Sequence, residues 1–278
     1  MENRDRHLTG RVAWVTGSSR GIGRVVASHL AGLGATVVVH GTTLHSTQAF
    51  NEADSLESVA QAIAKEHRAN VLPVYGDLAD EKVVKALTGE IRSTFGRIDI
   101  LVNCAGGDIG AQGTGAPMGG KPPKNDAVSI ALEDIRSVLD RNLMTCILVC
   151  REVVPEMMER RAGRIVNFGS IAGLKGTNES AIYATAKAAV HEYTRCLAVM
   201  LRPYNVTVNA VAPGDIVTSR FVASRQTDPN RSAEKGTLES YGKPIEVART
   251  IEFLVSEGGS YISGQIIRID GGTQCWPA

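Results

Sequence analysis

Tyr183 and Lys187 are the side chains whose types and spacing most directly suggest chemistry. They lie four positions apart in a segment with helical periodicity, so both occupy one face of the predicted helix, a turn apart. A phenol has an ordinary pKa of about 10, and a neighbouring ammonium favours its ionised form. We therefore expect Lys187 to lower the pKa of Tyr183, which could then protonate a carbonyl oxygen or deprotonate an alcohol. Alone, the pair could equally be two exposed helix residues.

Ser170 and Asn142 are the residues that could complete such a site. Ser170 closes a predicted strand, and its hydroxyl could orient and polarise the same substrate oxygen. Asn142 lies in a helical pattern over residues 133–160, although asparagine is a mediocre helix former. Its amide could hold a water molecule that passes protons to Lys187. The alternative for Asn142 is a helix cap or an exposed position.

A glycine-rich turn between the first predicted strand and the first predicted helix has the pattern of a phosphate-binding loop. Gly17 can take the tight turn, Gly21 lets the backbone approach a pyrophosphate, and Gly23 permits close packing of helix against strand. The helix N-terminus adds unpaired N–H groups and the positive end of its dipole. The pattern predicts a dinucleotide site, and its alternative is a glycine-rich turn without a ligand. The predicted cofactor-binding residues of this turn are Gly17, Ser18, Ser19, Arg20, Gly21, Ile22 and Gly23.

The end of the second predicted strand indicates which dinucleotide is preferred. NAD-binding proteins commonly place an acidic residue there, where it bonds the adenosine ribose hydroxyls. This chain has His40, Gly41 and Thr42 instead, and Arg20 in the turn could form a charge-assisted hydrogen bond with a 2′-phosphate. We therefore expect NADP(H) as the preferred cofactor, with NAD as the alternative. The alternative for Arg20 is a solvent-facing side chain.

Short β-branched runs alternate with helical patterns along the whole chain. Most of the runs are nearly continuous in apolar residues, as in parallel strands buried on both faces. The alternation predicts an α/β fold: a single-domain doubly wound (Rossmann) parallel sheet of about seven strands, order 3-2-1-4-5-6-7, with helices on both faces. Pro73 agrees with that order, because the third strand is then an edge, where proline is tolerated. The candidate strands are 11–16, 35–40, 71–75, 98–103, 164–169, 206–211 and 265–270; the later helices are 56–66, 81–95, 133–160, 181–202 and 246–256.

Two long segments interrupt this alternation. Residues 106–129 follow the fourth strand and are rich in glycine and proline, and residues 214–243 follow the sixth strand and are polar. Long loops in compact α/β domains are often functional, so we interpret 214–243 as a substrate lid. The loop 106–129 could wall the pocket or cover an oligomer surface. We assign residues 1–278 to a single dinucleotide-binding and catalytic domain.

Composition excludes several other classes of protein. Hydrophobic residues are 43% and charged residues 21% of the chain, and the net charge is +1, which argues against disorder and against a nucleic-acid partner. No apolar run approaches the roughly 18 residues that would span a membrane. Residues 1–10 are polar, and the five cysteines form no CxxC pair, which indicates a cytoplasmic protein. The six histidines show no metal-ligand spacing, so we expect no metal site.

Taken together, these motifs resemble the short-chain dehydrogenase/reductase family. The resemblance extends from Gly10 to Gly272, and the motifs follow the family's order. It is strongest with the 3-oxoacyl-acyl-carrier-protein reductase-like branch, to which the terminal Asp270-Gly271-Gly272 is also similar. The matching residues are Thr16 to Gly23, Asn103-Cys104-Ala105-Gly106, Asn142, Ser170, Tyr183-Ala184-Thr185-Ala186-Lys187 and Pro213-Gly214.

The resemblance implies further cofactor contacts and a homotetramer. Tyr183 and Lys187 would contact the cofactor as well as the substrate, with Lys187 bonding the nicotinamide ribose. Asp77 could instead cap the next helix, Pro213-Gly214 could be an ordinary turn, and Asn103 could tie adjacent strands. The implied positions are Asp77 and Leu78 beside the adenine, Asn103, Ala105 and Gly106 beneath the adenosine ribose, and Pro213, Gly214, Ile216 and Thr218 at the carboxamide.

The expected activity is hydride transfer between NADP(H) and a small-molecule carbonyl or secondary alcohol, with Tyr183 as general acid and base. A 3-oxoacyl thioester, a ketone and a sugar or polyol all remain candidate substrates. The alternatives are an NAD-dependent sugar or polyol dehydrogenase, a non-catalytic dinucleotide-binding sensor, and an epimerase or dehydratase that uses the cofactor transiently. Intact Asn142, Ser170, Tyr183 and Lys187 argue against the sensor, which would need only the cofactor motifs.

Overall fold

A computed structural model describes residues 6–276 and contains one parallel sheet of seven strands. The strand order is β3-β2-β1-β4-β5-β6-β7, which confirms the predicted fold class. Residues 1–5 and 277–278 lie outside the described part of the chain, and half of the polar segment 1–10 is among them. The assignment of residues 1–278 to a single domain stays a prediction. The strands are β1 Val12–Thr16, β2 Thr36–Gly41, β3 Val71–Tyr75, β4 Ile100–Asn103, β5 Gly163–Phe168, β6 Val206–Pro213 and β7 Ile266–Ile269.

Helices cover both faces of the sheet, as parallel strands require of their crossover connections. Their bounds agree with the sequence patterns to within a few residues, except in the predicted helix 133–160. The helices are α1 Gly21–Gly32, α2 Leu56–His67, α3 Glu81–Phe95, α4 Leu132–Leu139, α5 Thr145–Arg160, α6 Ala181–Leu201, α7 Ser219–Ala223 and α8 Pro244–Val255.

Two apolar clusters, one on each face of the sheet, form the core. Alternate residues of β1 point into different clusters: Val15 packs with α1, α2 and α8, whereas Trp14 packs with α3, α5 and α6. Both side chains are completely buried. Because the central strands β1, β2, β4, β5 and β6 contribute to both clusters, their sequences are apolar at most positions rather than at every second one.

Pro73 lies on the edge strand β3, where the sequence predicted it. Its Cα pairs with that of Val39 on β2, and β3 has no strand on its other side among residues 6–276. An edge position leaves one side of the strand without ladder partners, so a residue lacking an N–H costs little there.

The predicted helix 133–160 is divided by a π-helical turn at Asp140–Met144, between α4 and α5. The Asn142 amide lies in this turn and donates to the carbonyl of Val138 at 2.8 Å. A π-helical turn inserts one extra residue without interrupting the apolar face, so the sequence pattern reads as continuous. Such turns are frequent at functional sites, and here the turn aims the Asn142 side chain at the loop after β4.

Candidate active site

A cavity of ≈560 Å³ opens at the carboxyl ends of the strands, around the point where β1 and β4 lie side by side and the strand order reverses. This edge is where open α/β sheets bind ligands. Most of the residues predicted from the sequence line this crevice. They are Gly17, Ser19, Arg20, Gly21, Ile22, Gly23, His40, Gly41, Thr42, Asp77, Leu78, Ala105, Gly106, Ser170, Tyr183, Lys187, Pro213, Gly214, Ile216 and Thr218.

The turn between β1 and α1 is packed too tightly for side chains at two of its glycines. Gly17 has a φ of +63°, and a Cβ there would lie 2.7 Å from the Cα of Ala105. A Cβ on Gly23 would overlap the carbonyl oxygen of Gly17. Helix α1 has no side-chain cap from Arg20 and no acidic residue in its first turn. The start of α1 therefore lies close against the backbone of the turn, an arrangement that suits a pyrophosphate.

His40 holds this turn in place rather than pointing freely into the crevice. Its Nδ1 accepts from the N–H of Gly17 at 3.1 Å, so its Nε2 must donate to the carbonyl of Gly76, at 3.0 Å. Burial lowers the pKa of His40 to about 4, although the Gly76 carbonyl and Asp77 act against that shift. The imidazole is consequently neutral at pH 7 and ties the turn to β2 and to the end of β3.

The Arg20 guanidinium is engaged within the protein. It donates to the carbonyl of Ser46 and lies over the ring of Phe50, 5.5 Å from the ring centroid. Burial lowers the pKa of Arg20, and the nearby Glu52 carboxylate raises it. Arg20 is therefore not the solvent-facing side chain that the sequence left open as an alternative.

Glu52 is an acid at this end of the crevice that sequence reasoning missed. Its Oε2 accepts from the N–H of Gly21 at 2.9 Å, so a carboxylate caps the first turn of α1. Sequence reasoning looked for an acid only at the end of β2, whereas Glu52 arrives from the segment between β2 and α2, after a 3₁₀ turn at Ser46–Phe50. The unusual length of that connection was the available signal.

Tyr183 and Lys187 lie one turn apart on α6, with the Lys187 ammonium 5.6 Å from the centroid of the Tyr183 ring. Lys187 is 3% exposed and donates to the carbonyl of Phe168 at 2.8 Å. Burial lowers the pKa of Lys187 to about 8. Ser170 follows β5, and its Oγ accepts from the N–H of Ala172 at 3.1 Å. All three functional groups line the same crevice.

The pKa of Tyr183 is shifted in the direction opposite to the expectation from sequence. Burial raises it, while the side chain of Ser170 and the charge of Arg220 counteract part of the increase. The Lys187 ammonium faces the ring of Tyr183 and bonds a carbonyl instead of the phenolic oxygen. The expectation was wrong because it counted a neighbouring charge and neglected the larger cost of burying a phenolate.

Asn142 contacts the site through the backbone of the loop after β4. Its Oδ1 accepts from the N–H of Gly107 at 2.9 Å, and its Nδ2 donates to the Gly107 carbonyl at 2.9 Å. A Cβ on the neighbouring Gly106 would lie 2.6 Å from Asn142 Oδ1 and 3.3 Å from Lys187 Nζ. Asn142 is 1% exposed, so neither the exposed nor the capping alternative applies.

Comparisons with known proteins identify the family. A family profile described as "Enoyl-(Acyl carrier protein) reductase" matches residues 17–274. A 3-oxoacyl-acyl-carrier-protein reductase of Aquifex aeolicus is 35% identical over 265 residues, which is 95% of this chain and 98% of that protein. A cyclohexanol dehydrogenase of Rhodococcus sp. is 38% identical over 273 residues, covering 95% and 96% of the two chains.

The chain belongs to the short-chain dehydrogenase/reductase family. Its structure is similar to that of a levodione reductase, with a TM-score of 0.80, 29% identity and coverage of 95% and 98%. It is also similar to an NAD⁺-bound xylitol dehydrogenase, with a TM-score of 0.79, 26% identity and coverage of 95% and 99%. The chain is therefore an NAD(P)-dependent oxidoreductase that acts on a small molecule.

Three of the predicted site residues do not line the crevice of this dehydrogenase/reductase: Ser18, Asn103 and Asn142. Ser18 is buried and joins the turn to β2, since its Oγ accepts from the N–H of His40 at 2.8 Å. The Asn103 amide donates to Asn167 Oδ1 at 2.9 Å and thus ties β4 to β5, as the structural alternative proposed. These residues hold the elements that carry the site.

His191 is a second buried histidine that sequence reasoning missed. It lies one turn beyond Lys187 on α6, and its Nε2 accepts from the N–H of Ser170 at 3.3 Å. Burial lowers the pKa of His191 to about 4, with smaller contributions from Lys187 and Arg195, so the ring is neutral. Its spacing of four from Lys187 was the signal in the sequence.

Both long loops of this dehydrogenase/reductase lie at the crevice. Asp108 ties the first loop to the start of α6, because its Oδ2 accepts from Asn125 Nδ2 and from Ser180 Oγ, both at 2.7 Å. The second loop contributes α7, whose Arg220 donates to the carbonyl of Asp108 at 2.6 Å. The loop 106–129 thus walls the pocket, which was one of its two predicted roles.

Residues 6–276 contain no group of three or more His, Cys, Asp or Glu side chains that could hold a metal ion. Within the same part of the chain, none of the helices has the length and apolarity needed to cross a membrane.

Gly169 provides a test of the contact between His191 and the Ser170 segment. A Cβ on Gly169 would overlap His191 Nε2, so Gly169→Ala should lower the free energy of unfolding by about 1–3 kcal/mol. In a His191→Ala background the same substitution should cost much less, because the ring is gone. Denaturant unfolding of the four proteins gives this coupling. Equal costs in the two backgrounds would contradict the geometry.

Proposed function

We propose that the crevice transfers hydride between NADP(H) and a carbonyl or secondary alcohol, with Tyr183 as the proton donor and acceptor. The observation that carries this proposal is the convergence of Tyr183, Ser170 and Lys187 on one cavity, next to a glycine turn that suits phosphates. A dinucleotide-binding sensor would need the turn but not a phenol, a hydroxyl and an ammonium beside it. The same convergence supports oxidoreductase chemistry over passive binding.

The residues that line the crevice support binding of a nicotinamide dinucleotide. The turn 17–23 would hold the pyrophosphate, and Asp77, Leu78, Ala105 and Gly106 would flank the adenosine. Pro213, Gly214, Ile216 and Thr218 line the other end of the crevice and would hold the carboxamide. When bound, the nicotinamide supplies or accepts the hydride. Asn103 would support the adenosine end from beneath the sheet edge.

The protein's own residues would then manage the proton and the orientation. Because burial raises the pKa of Tyr183, the phenol is protonated at neutral pH and ready to donate to a carbonyl oxygen. Ser170 would orient that oxygen. The Lys187 pKa of about 8 keeps this group mostly charged at pH 7, while a proton can still leave it. Asn142 would act through the loop after β4, because it fixes the backbone of Gly107 and the preceding Gly106 lies beside Lys187.

Arg20 and Glu52 bear on the choice between NADP(H) and NAD(H). The absence of an acid at the end of β2 and the presence of Arg20 support NADP(H). Glu52 acts in the opposite direction, because its carboxylate sits on the N–H of Gly21 and would repel an added phosphate. NAD-dependent dehydrogenation of a sugar or polyol is therefore the second candidate, and the likeness to an NAD⁺-bound xylitol dehydrogenase also favours it.

The relatives' names suggest the range of substrates. They include a 3-oxoacyl-acyl-carrier-protein reductase, a cyclohexanol dehydrogenase and a levodione reductase. These names have a ketone or a secondary alcohol in common. We propose the same substrate class for this chain, which agrees with hydride transfer beside Tyr183.

We also propose a cytoplasmic homotetramer, formed through the long helices α5 and α6 and strand β7. All five cysteines are free, which agrees with a reducing compartment. Val199 and Met200 on α6 are 76% and 50% exposed, and such apolar side chains are typical of helix faces that pack against another subunit. Light scattering should give the mass of four chains; a stable monomer would contradict this assembly.

Tyr183→Phe tests the chemical role of the phenol. We expect single-turnover hydride transfer at saturating NADPH to fall by about 10²–10⁴-fold, because general acid catalysis is lost while the ring remains. The affinity for NADPH, measured by fluorescence titration, should change little and serves as the control. A transfer rate close to that of the wild type would remove Tyr183 from the mechanism. Net NADPH consumption separates this activity from an epimerase or dehydratase.

Substitutions at Arg20 and Glu52 should change cofactor preference in opposite directions. Glu52→Gln removes a charge close to the turn and should raise kcat/KM for NADPH by about tenfold, as expected from an interaction of about 1.4 kcal/mol. Arg20→Gln should lower it by a similar factor. Values for NADH provide the control and should change much less. A proportional change for both cofactors would show that these residues stabilise the turn instead of reading the 2′-phosphate.

A further inference from the structure

A group of cations lines the crevice where the loop 106–129 meets α7. Lys121 comes from the loop 106–129, Arg220 from α7 and Arg225 from just beyond it, and all three line the cavity. Both arginines act electrostatically on the Tyr183 phenol. The proposed hydride transfer uses none of the three, so their position calls for a separate explanation.

Arg225 has a direct ion pair within the protein, with a carboxylate that Arg231 shares. Its Nη1 pairs with the carboxylate of Asp215 at 3.0 Å, and its guanidinium lies 4.2 Å from the centroid of the Phe221 ring. These contacts assign Arg225 to the internal packing of the lid.

Arg220 is fixed in position without being neutralised. Its Nε donates to the carbonyl of Gly119 at 3.1 Å, and its Nη2 donates to the carbonyl of Asp108. Both acceptors are neutral peptide oxygens, so they orient the guanidinium without forming an ion pair, and the Asp108 carboxylate acts on its charge only from a distance. Among residues 6–276, Arg220 forms no ion pair within 4.0 Å, and its Nη1 has no hydrogen-bond partner.

Lys121 is a second cation without a direct acidic partner in the described part of the chain. Within the described part of the chain, its ammonium forms neither a hydrogen bond nor an ion pair. Burial lowers the pKa of Lys121, and the charges of Arg225 and Arg220 lower it further, against the opposing effects of Asp108 and Glu179. Neither acid forms an ion pair with Lys121 within 4.0 Å in residues 6–276, and the buried Asp108 carboxylate already accepts from Asn125 and Ser180.

We propose that Lys121 and Arg220 form a subsite for an anionic group of the substrate, a carboxylate or a phosphate. The compound reduced beside Tyr183 is then a carbonyl compound that carries such a group. This inference rests on the proposed hydride transfer and adds the substrate class to it. Because its bonds to Gly119 and Asp108 already order Arg220, binding an anion there costs little side-chain entropy.

Matched pairs of carbonyl compounds test the subsite with the whole protein. Acetoacetate is compared with its methyl ester, and dihydroxyacetone phosphate with dihydroxyacetone, by kcat/KM for NADPH oxidation. We expect the anionic member of at least one pair to be favoured by about 10- to 100-fold, the effect of a charge-assisted contact. The pair with the larger ratio shows whether the group is a carboxylate or a phosphate. The ratio should fall as salt is added.

Variants of Lys121 show whether this preference comes from the subsite. Lys121→Gln should raise KM for the anionic compound by about tenfold and leave the neutral one unchanged, whereas Lys121→Arg should retain the preference. Lys124→Gln is the matched control, because Lys124 lies on the same loop, is exposed and does not line the crevice. It should behave like the wild type.

The outcomes separate this inference from the proposed function. If the neutral compounds are reduced as efficiently as the anionic ones, or if Lys121→Gln leaves the ratio unchanged, the anionic subsite is wrong and hydride transfer stands. If no carbonyl compound oxidises NADPH, the proposed function is wrong. Calorimetric titration of acetoacetate and of inorganic phosphate into the protein with NADP⁺ then decides the subsite: Lys121-dependent binding supports it, and its absence overturns it.

Discussion

Close backbone packing at glycines is the constraint on which the candidate site depends. Gly17 approaches the Cα of Ala105, and Gly106 approaches both the Asn142 amide and the Lys187 ammonium, at distances that leave no room for a Cβ. These contacts draw the phosphate turn, the end of β4 and the helix that carries Tyr183 to one edge of the sheet. A larger residue at either position would push these elements apart, and the crevice would lose its shape before any catalytic group was altered.

Burial, more than charge pairing, sets the protonation of the site. Burial raises the pKa of Tyr183 and lowers the pKa values of His40, His191 and Lys187. In each case at least one neighbouring group acts in the opposite direction, and its effect is smaller than that of burial. Two neutral imidazoles therefore act as hydrogen-bonding ties, one under the phosphate turn and one behind Ser170. On the substrate side, where loop 106–129 and α7 meet, the described residues include two cations, Lys121 and Arg220, that have no ion pair within 4.0 Å.

The fold was predictable because its signals are local and repeated: apolar runs, helical periodicity, the spacing of Gly17, Gly21 and Gly23, and a proline that fits only an edge strand. Most of the residues that line the crevice were also predictable, because the carboxyl ends of parallel strands lie at one edge of the sheet. Glu52, His191 and Lys121 were missed because their roles depend on contacts between distant segments. The direction of the pKa shift of Tyr183 was missed because the sequence shows a neighbouring lysine but not how deeply the phenol is buried.

The central claim is that this crevice passes hydride from a dinucleotide to a carbonyl carbon. Incubation with NADPH deuterated at either face of C4, in the presence of anionic and neutral ketones, tests it most directly by mass spectrometry of the alcohol. We expect one deuterium on the carbinol carbon, delivered from only one of the two labelled cofactors. Binding of NADPH without transfer of deuterium to any of the ketones would contradict it.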